Sequence, residues 1–156
     1  MDLFEKFLTF IDALENENVE YILIGGLAVI LYGMPRLTQD IDLFVKPDEH
    51  NISKLRTALL SLYQDKSINE ITLSELTQYS VIRYGTPEGF NIDIITQLGK
   101  TFSYEKLEYQ VLTFEGHRLR IATPETLFEL KKNTPRPVDR SDILFLTELI
   151  QKNKGS

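Results

Sequence analysis

Residues 22–45 read ILIGGLAVILYGMPRLTQDIDLFV. The run from Tyr21 to Ile24 is β-branched and aromatic and ends in glycines, which predicts a short buried strand. Leu27 to Tyr32 is apolar on nearly every face, which predicts a buried helical turn or two, stopped by Gly33 and Pro35. The chain then returns as a second strand carrying Asp40 and Asp42. Side chains alternate along a strand, so both acids point one way while Ile41 and Leu43 enter the core.

Gly25 and Gly26 fall at the junction between strand and helix. Such a junction offers free backbone N–H groups and the positive end of a helix, with no side chain to block a phosphate. Two carboxylates on one strand face repel unless one is protonated or a cation lies between them. A hard divalent ion such as magnesium takes carboxylate oxygens and keeps positions open for substrate phosphates. Taken singly, a Gly-Gly is a turn and an Asp-x-Asp is a solvated strand face. In this order they combine, because residues 27–39 hold one helix and one return loop. That spacing brings cradle and acids to the same strand ends.

Strand, Gly-Gly, helix and Asp-x-Asp together resemble the DNA polymerase β-like nucleotidyltransferase superfamily. The string GGLAVILYGMPRLTQDIDLFV is similar to its small bacterial branch, the AbiEii/AbiGii-type and MenT-like toxins. The resemblance implies an α/β nucleotidyltransferase fold, a mixed central sheet flanked by helices. It implies transfer of a nucleoside monophosphate from a magnesium- or manganese-bound NTP to an acceptor hydroxyl. The acceptor is left open among an RNA or tRNA end, a protein and a small molecule, and an antitoxin partner is implied. Arg36 and Thr38 match the Arg and the Thr or Ser that precede the carboxylates in that branch, as nucleotide contacts. Gly26 stands where a common variant has serine, so backbone amides must replace that hydroxyl.

Further along, residues 80–84 and 90–95 predict a hairpin around GTPEG. Asp93 sits inside the apolar run NIDII, where an isolated carboxylate is costly unless paired or liganded. The resemblance makes it the third metal ligand beside Asp40 and Asp42. Arg83 lies on the partner strand, and its parity relative to Asp93 needs the register, which leaves it to pair with Asp93, to bind phosphate or to face solvent. Residues 101–107 predict a short helix and residues 109–121 a second hairpin with His117 in its turn. Thr123, Pro124 and Glu125 start a helix that ends near Lys131 and Lys132. The resemblance places Lys131 against the nucleotide, with Lys132 as the alternative, and matches Arg136, Asp139 and Asp142 to a C-terminal motif. Asp139 or Ser141 is expected to cap a last helix with Ile143, Leu144, Leu146, Leu149 and Ile150 inward.

The chain has 156 residues, 42% of them apolar and 26% charged, which suits one domain over 1–150 and a frayed polar tail over 151–156. It has no cysteine, which excludes disulfides and thiolate metal sites. The acidic, amphipathic start is unlike a signal peptide, and no apolar run spans a bilayer, so a cytoplasmic location is expected. With 17 basic against 23 acidic residues the net charge is −6, which disfavours non-specific duplex DNA binding. His50 reads as a surface residue, and no histidine spacing supports zinc. The alternative to catalysis is a silent nucleotide-binding or interaction module.

Overall fold

The computed structural model of the chain describes residues 2–132 and 136–155. Helix α1 (Leu3–Asn16) is capped by Asp2, whose carboxylate accepts the Glu5 N–H at 2.9 Å. Its apolar face buries Phe7, Phe10, Ile11 and Leu14 completely. The chain enters strand β1 (Tyr21–Ile24), passes through helix α2 (Gly25–Leu31) and returns as β2 (Asp40–Val45). β1 and β2 pair antiparallel, with Ile24 opposite Asp42. Asn51 joins the far ends of this unit. Its buried side-chain amide accepts the Glu20 N–H at 2.7 Å and donates to the Glu20 and Lys46 carbonyls at 3.0 and 2.9 Å.

Asn51 belongs to α3 (Glu49–Leu62), which Asp48 caps as the sequence predicts. A 3-10 turn (Lys66–Glu70) and α4 (Leu73–Gln78) follow, then the hairpin of β3 (Val81–Gly85) and β4 (Asn91–Ile95). The segment read as a helix at 101–107 is instead divided between a short strand and a single 3-10 turn. Two short strands, β5 (Gln97–Leu98) and β6 (Phe102–Ser103), pair antiparallel, and only Tyr104–Lys106 form a 3-10 turn. Gly99 has φ +59° between the two strands, a conformation glycine adopts without steric cost. Leu98 and Phe102 pack against the core from this small ribbon.

Strands β7 (Tyr109–Phe114) and β8 (His117–Ala122) form the second hairpin, so His117 opens a strand and does not sit in the turn. Helix α5 (Pro124–Lys131) starts on the Thr123 cap. Helix α6 (Pro137–Lys154) begins three residues earlier than an Asp139 cap requires, with Arg136 as its N-cap residue and proline at its first position. Asp139 lies inside the first turn and is fully buried. Leu144, expected inward, is 66% exposed, because the buried line of the helix is Asp139, Asp142 and Leu146. Residues 152–154 continue the helix.

The main sheet has six strands in the order β3-β4-β2-β1-β8-β7. The β2–β4 and β1–β8 pairs are parallel and the others antiparallel, so the sheet is mixed. The two central strands, β1 and β2, are the most deeply buried, with Ile22, Leu23, Ile41, Leu43 and Phe44 fully enclosed. The fold is the expected α/β arrangement, and the Asp-x-Asp strand stands at its centre.

Candidate functional site

The parallel register of β2 and β4 sets Asp40 opposite Asn91 and Asp42 opposite Asp93. Paired residues on neighbouring strands face the same side of a sheet, so Asp40, Asp42 and Asp93 share one face. Asn91 donates its side-chain N–H to Asp40 Oδ1 at 3.1 Å. The hairpin register sets Arg83 opposite Asp93. Its guanidinium holds Asp93 at two points, Nε to Oδ1 at 2.8 Å and Nη2 to Oδ2 at 3.0 Å, and reaches Asp40 Oδ2 at 3.5 Å. The parity left open by the sequence is thereby fixed, and a cation from the chain spans two of the three acids.

Asp42 has the most perturbed carboxyl of the cluster. Burial pushes its pKa up to about 7, the contact with Asp93 and the charges of Asp93 and Asp40 act in the same direction, and Lys131 opposes them. Gly25, at φ +76°, lies directly over this carboxylate, and a Cβ there would fall on Asp42 Oδ2. A Cβ on Gly26 would collide with the Arg36 guanidinium. Both glycines are therefore needed for close approach: one to an acid, the other to an arginine.

Arg36, Lys131, Arg136, Asp139 and Asp142 form a second ionic cluster. Arg36 donates Nε and Nη2 to the two oxygens of Asp142, each at 2.9 Å. Lys131 Nζ lies 3.0 Å from Asp139 Oδ1 and 3.1 Å from Asp142 Oδ2. Arg136 adds a two-point contact to Asp139 at 2.8 and 3.2 Å. Both aspartates are fully buried and Lys131 nearly so. Charges this far from water persist only when matched, so the cluster fixes α6, α5 and the loop after α2 against one another. Lys132 instead turns outward to Glu129 at 2.6 Å. The lysine facing the acids is therefore Lys131.

These parts meet in an open cavity of about 250 Å³. Asp40, Asp42, Asp93, Gly25, Arg83 and Lys131 line its polar side, and Val81, Ile95, Leu98, Leu127 and Leu130 its apolar side. Arg36 and Thr38 are not brought into this cavity; they border a neighbouring groove with Phe4, Leu27 and Leu37. The Thr38 hydroxyl lies 3.3 Å from the Asp40 backbone N–H, which steadies the start of β2. His50 is exposed, and His117 Nδ1 lies 2.8 Å from Asp12. Of the three roles the sequence left to Arg83, the structure shows the pairing with Asp93, whereas the pairing of Asp139 and Asp142 with Lys131 and Arg36 was not read from the sequence. Only the alternation of Asn91 and Asp93, matching that of Asp40 and Asp42, hinted at the β2–β4 alignment.

A hard divalent ion fits this donor set in kind: three carboxylates on two adjacent strands, where burial first and then the neighbouring acids raise the Asp42 carboxyl to about 7. As placed, however, no three His, Asp or Glu side chains among the described residues are disposed to hold a metal ion. The oxygens of Asp93 are turned to Arg83.

The fold is shared with known nucleotidyltransferases. An antigenic nucleotidyltransferase-like protein from Paracoccidioides brasiliensis superposes with a TM-score of 0.65 at 18% identity, covering 94% of this chain and 76% of that one. The lincosamide antibiotic adenylyltransferase LnuA gives 0.56 at 15% identity, covering 92% and 95%. The aminoglycoside enzyme ANT(2")-Ia, solved with adenylyl-2"-tobramycin, gives 0.57 at 14% identity, covering 94% and 88%. A comparison with curated protein sequences found no match. Residues 10–131 match the family model of the nucleotidyl transferase AbiEii toxin of type IV toxin–antitoxin systems, and the chain belongs to that family of transferases.

Proposed function

We propose that the chain transfers a nucleoside monophosphate from a magnesium- or manganese-bound NTP to an acceptor hydroxyl, releasing pyrophosphate. The observation that carries this reading is the β2–β4 register, which gathers Asp40, Asp42 and Asp93 on one face of one cavity. These three would hold the metal, which when bound supplies Lewis-acid stabilisation of charge on the phosphate oxygens. The acceptor oxygen forms its bond to the α-phosphorus as the bond to pyrophosphate breaks. Asp93 is the base for the acceptor proton.

Lys131 places a positive charge at the cavity wall for the phosphates, held in one position by Asp139 and Asp142. The Gly25 and Gly26 amides line the entry to α2 and serve the triphosphate. Arg36 and Thr38, which border the neighbouring groove and not this cavity, belong to the nucleotide-binding set as supports of its wall. With two guanidinium nitrogens committed to Asp142, Arg36 acts chiefly by fixing the loop that carries Thr38.

The acceptor we favour is an RNA or tRNA end, ahead of a protein or a small molecule. Arg120 and Arg140 add cations in the C-terminal part of an otherwise acidic chain, where Arg118, Lys132 and Arg136 already face Glu15, Glu129 and Asp139. We place the activity in the cytoplasm, where NTP and RNA coexist, with an antitoxin as its regulator. No helix among the described residues is long and apolar enough to cross a membrane.

Incubation with each labelled NTP, magnesium, and RNA or protein acceptors tests the proposal. Label transfer that disappears in Asp42→Asn and Asp93→Asn supports it. No transfer together with no metal-dependent NTP binding overturns it. Metal-dependent binding without product identifies a silent nucleotide-binding module instead.

A further inference from the structure

Arg83 is the cationic side chain at the acids that the proposed transfer leaves without a role. It projects from β3, the outermost strand of the sheet on that side, and its side chain is 57% exposed. Its guanidinium binds both oxygens of Asp93 and one of Asp40. Those are oxygens that a divalent ion needs, so guanidinium and ion compete for the same lone pairs. The contest is unequal in place as well as charge. Lys131 and Arg36 are enclosed by buried aspartates and cannot leave without stranding them. Arg83 is half in water, and a long solvated side chain leaves an exposed ion pair at small cost.

Once off Asp93, the Arg83 guanidinium stays at the cavity, because its backbone is fixed opposite that residue. A planar fork of N–H donors there matches a phosphate group as well as it matched the carboxylate. A metal ion arriving alone must therefore displace Arg83 into water. A metal ion arriving with a polyphosphate gives the displaced guanidinium a new anionic partner.

We propose that Arg83 is an exchangeable internal cation, closing the acid cluster to a divalent ion alone and transferring to the nucleotide phosphates when ion and nucleotide bind together. The inference rests on the nucleotidyl-transfer reading and adds to it a coupling between the two ligands. Coupling of this kind is reciprocal: each ligand raises the affinity for the other by the same factor.

The test uses the full chain and two substitutions, Arg83→Gln, which removes the charge, and Arg83→Lys, which keeps it but cannot fork. Free Mn2+ is measured by electron paramagnetic resonance, first with protein alone and then with a non-hydrolysable NTP analogue. Relative to wild type, Arg83→Gln should bind Mn2+ alone at least about fivefold tighter. The gain in Mn2+ affinity on adding the analogue should fall by about the same factor, with Arg83→Lys between the two. If wild type binds Mn2+ and both variants bind it equally or more weakly, the exchange is wrong and nucleotidyl transfer stands. If no form binds Mn2+, or Asp42→Asn binds it as wild type does, the acid site itself is misassigned and the exchange falls with it.

Discussion

Asp42 shows at the scale of one residue what the site costs the fold. Its carboxyl titrates near 7 in the folded chain and near the ordinary carboxylate value when unfolded. Between those values the folded state binds more protons, so this group's contribution is complete below about pH 4 and is lost as pH rises through 7. Asp42→Asn removes the buried charge. In metal-free buffer it should raise stability by on the order of 2 kcal/mol above pH 7 and leave it little changed near pH 4. Thermal melts in chelator across that range measure it, and the same variant should transfer no label. Gly25→Ala should act in the opposite direction. A side chain at φ +76° is strained, and its Cβ would displace the Asp42 carboxylate. We expect a loss of about 1–3 kcal/mol by urea titration, together with loss of transfer. The acids themselves could be read from the sequence, because alternation on a strand is a local property. The facing of Arg83 could not, since it depends on the register of a hairpin whose partner strand was readable but whose alignment was not.

Among the elements, the strand–helix–strand unit was readable for a related reason: each piece has its own apolar period and glycine or proline punctuation. Helix α6 was misread because its buried line begins with Asp139 and Asp142. Aspartates in a helix are normally solvated, and only the arrival of Lys131 and Arg36 from other elements makes their burial tolerable. The ribbon of β5 and β6 was misread because two-residue strands carry too few residues for any period to show. The ionic clamp yields a prediction at this scale. Asp142→Ala takes from Arg36 its carboxylate and from Lys131 one of its two, and should cost about 3–5 kcal/mol by urea denaturation. Asp142→Ala combined with Arg36→Met should cost less than the sum of the single changes, because the two share one contact.

For the whole molecule, the nucleotidyltransferase neighbours cover nearly the full chain at identities of 14–18%. The shared property is therefore the arrangement of sheet and helices, which depends on burial pattern more than on residue identity. A ligand that binds only the folded state must stabilise it, by about 2.7 kcal/mol at a hundredfold excess over its Kd. Magnesium with a non-hydrolysable NTP analogue should accordingly raise the melting temperature of wild type and leave that of Asp93→Asn nearly unmoved, as read by scanning calorimetry. The position of Arg83 on the rim strand has an evolutionary consequence. Its side chain is 57% exposed and outside the buried core, so a substitution there leaves the interior packing in place. On the exchange proposed for Arg83, a lineage could thus retune how readily a divalent ion enters, one codon at a time, while the buried acids and their partners stay in place.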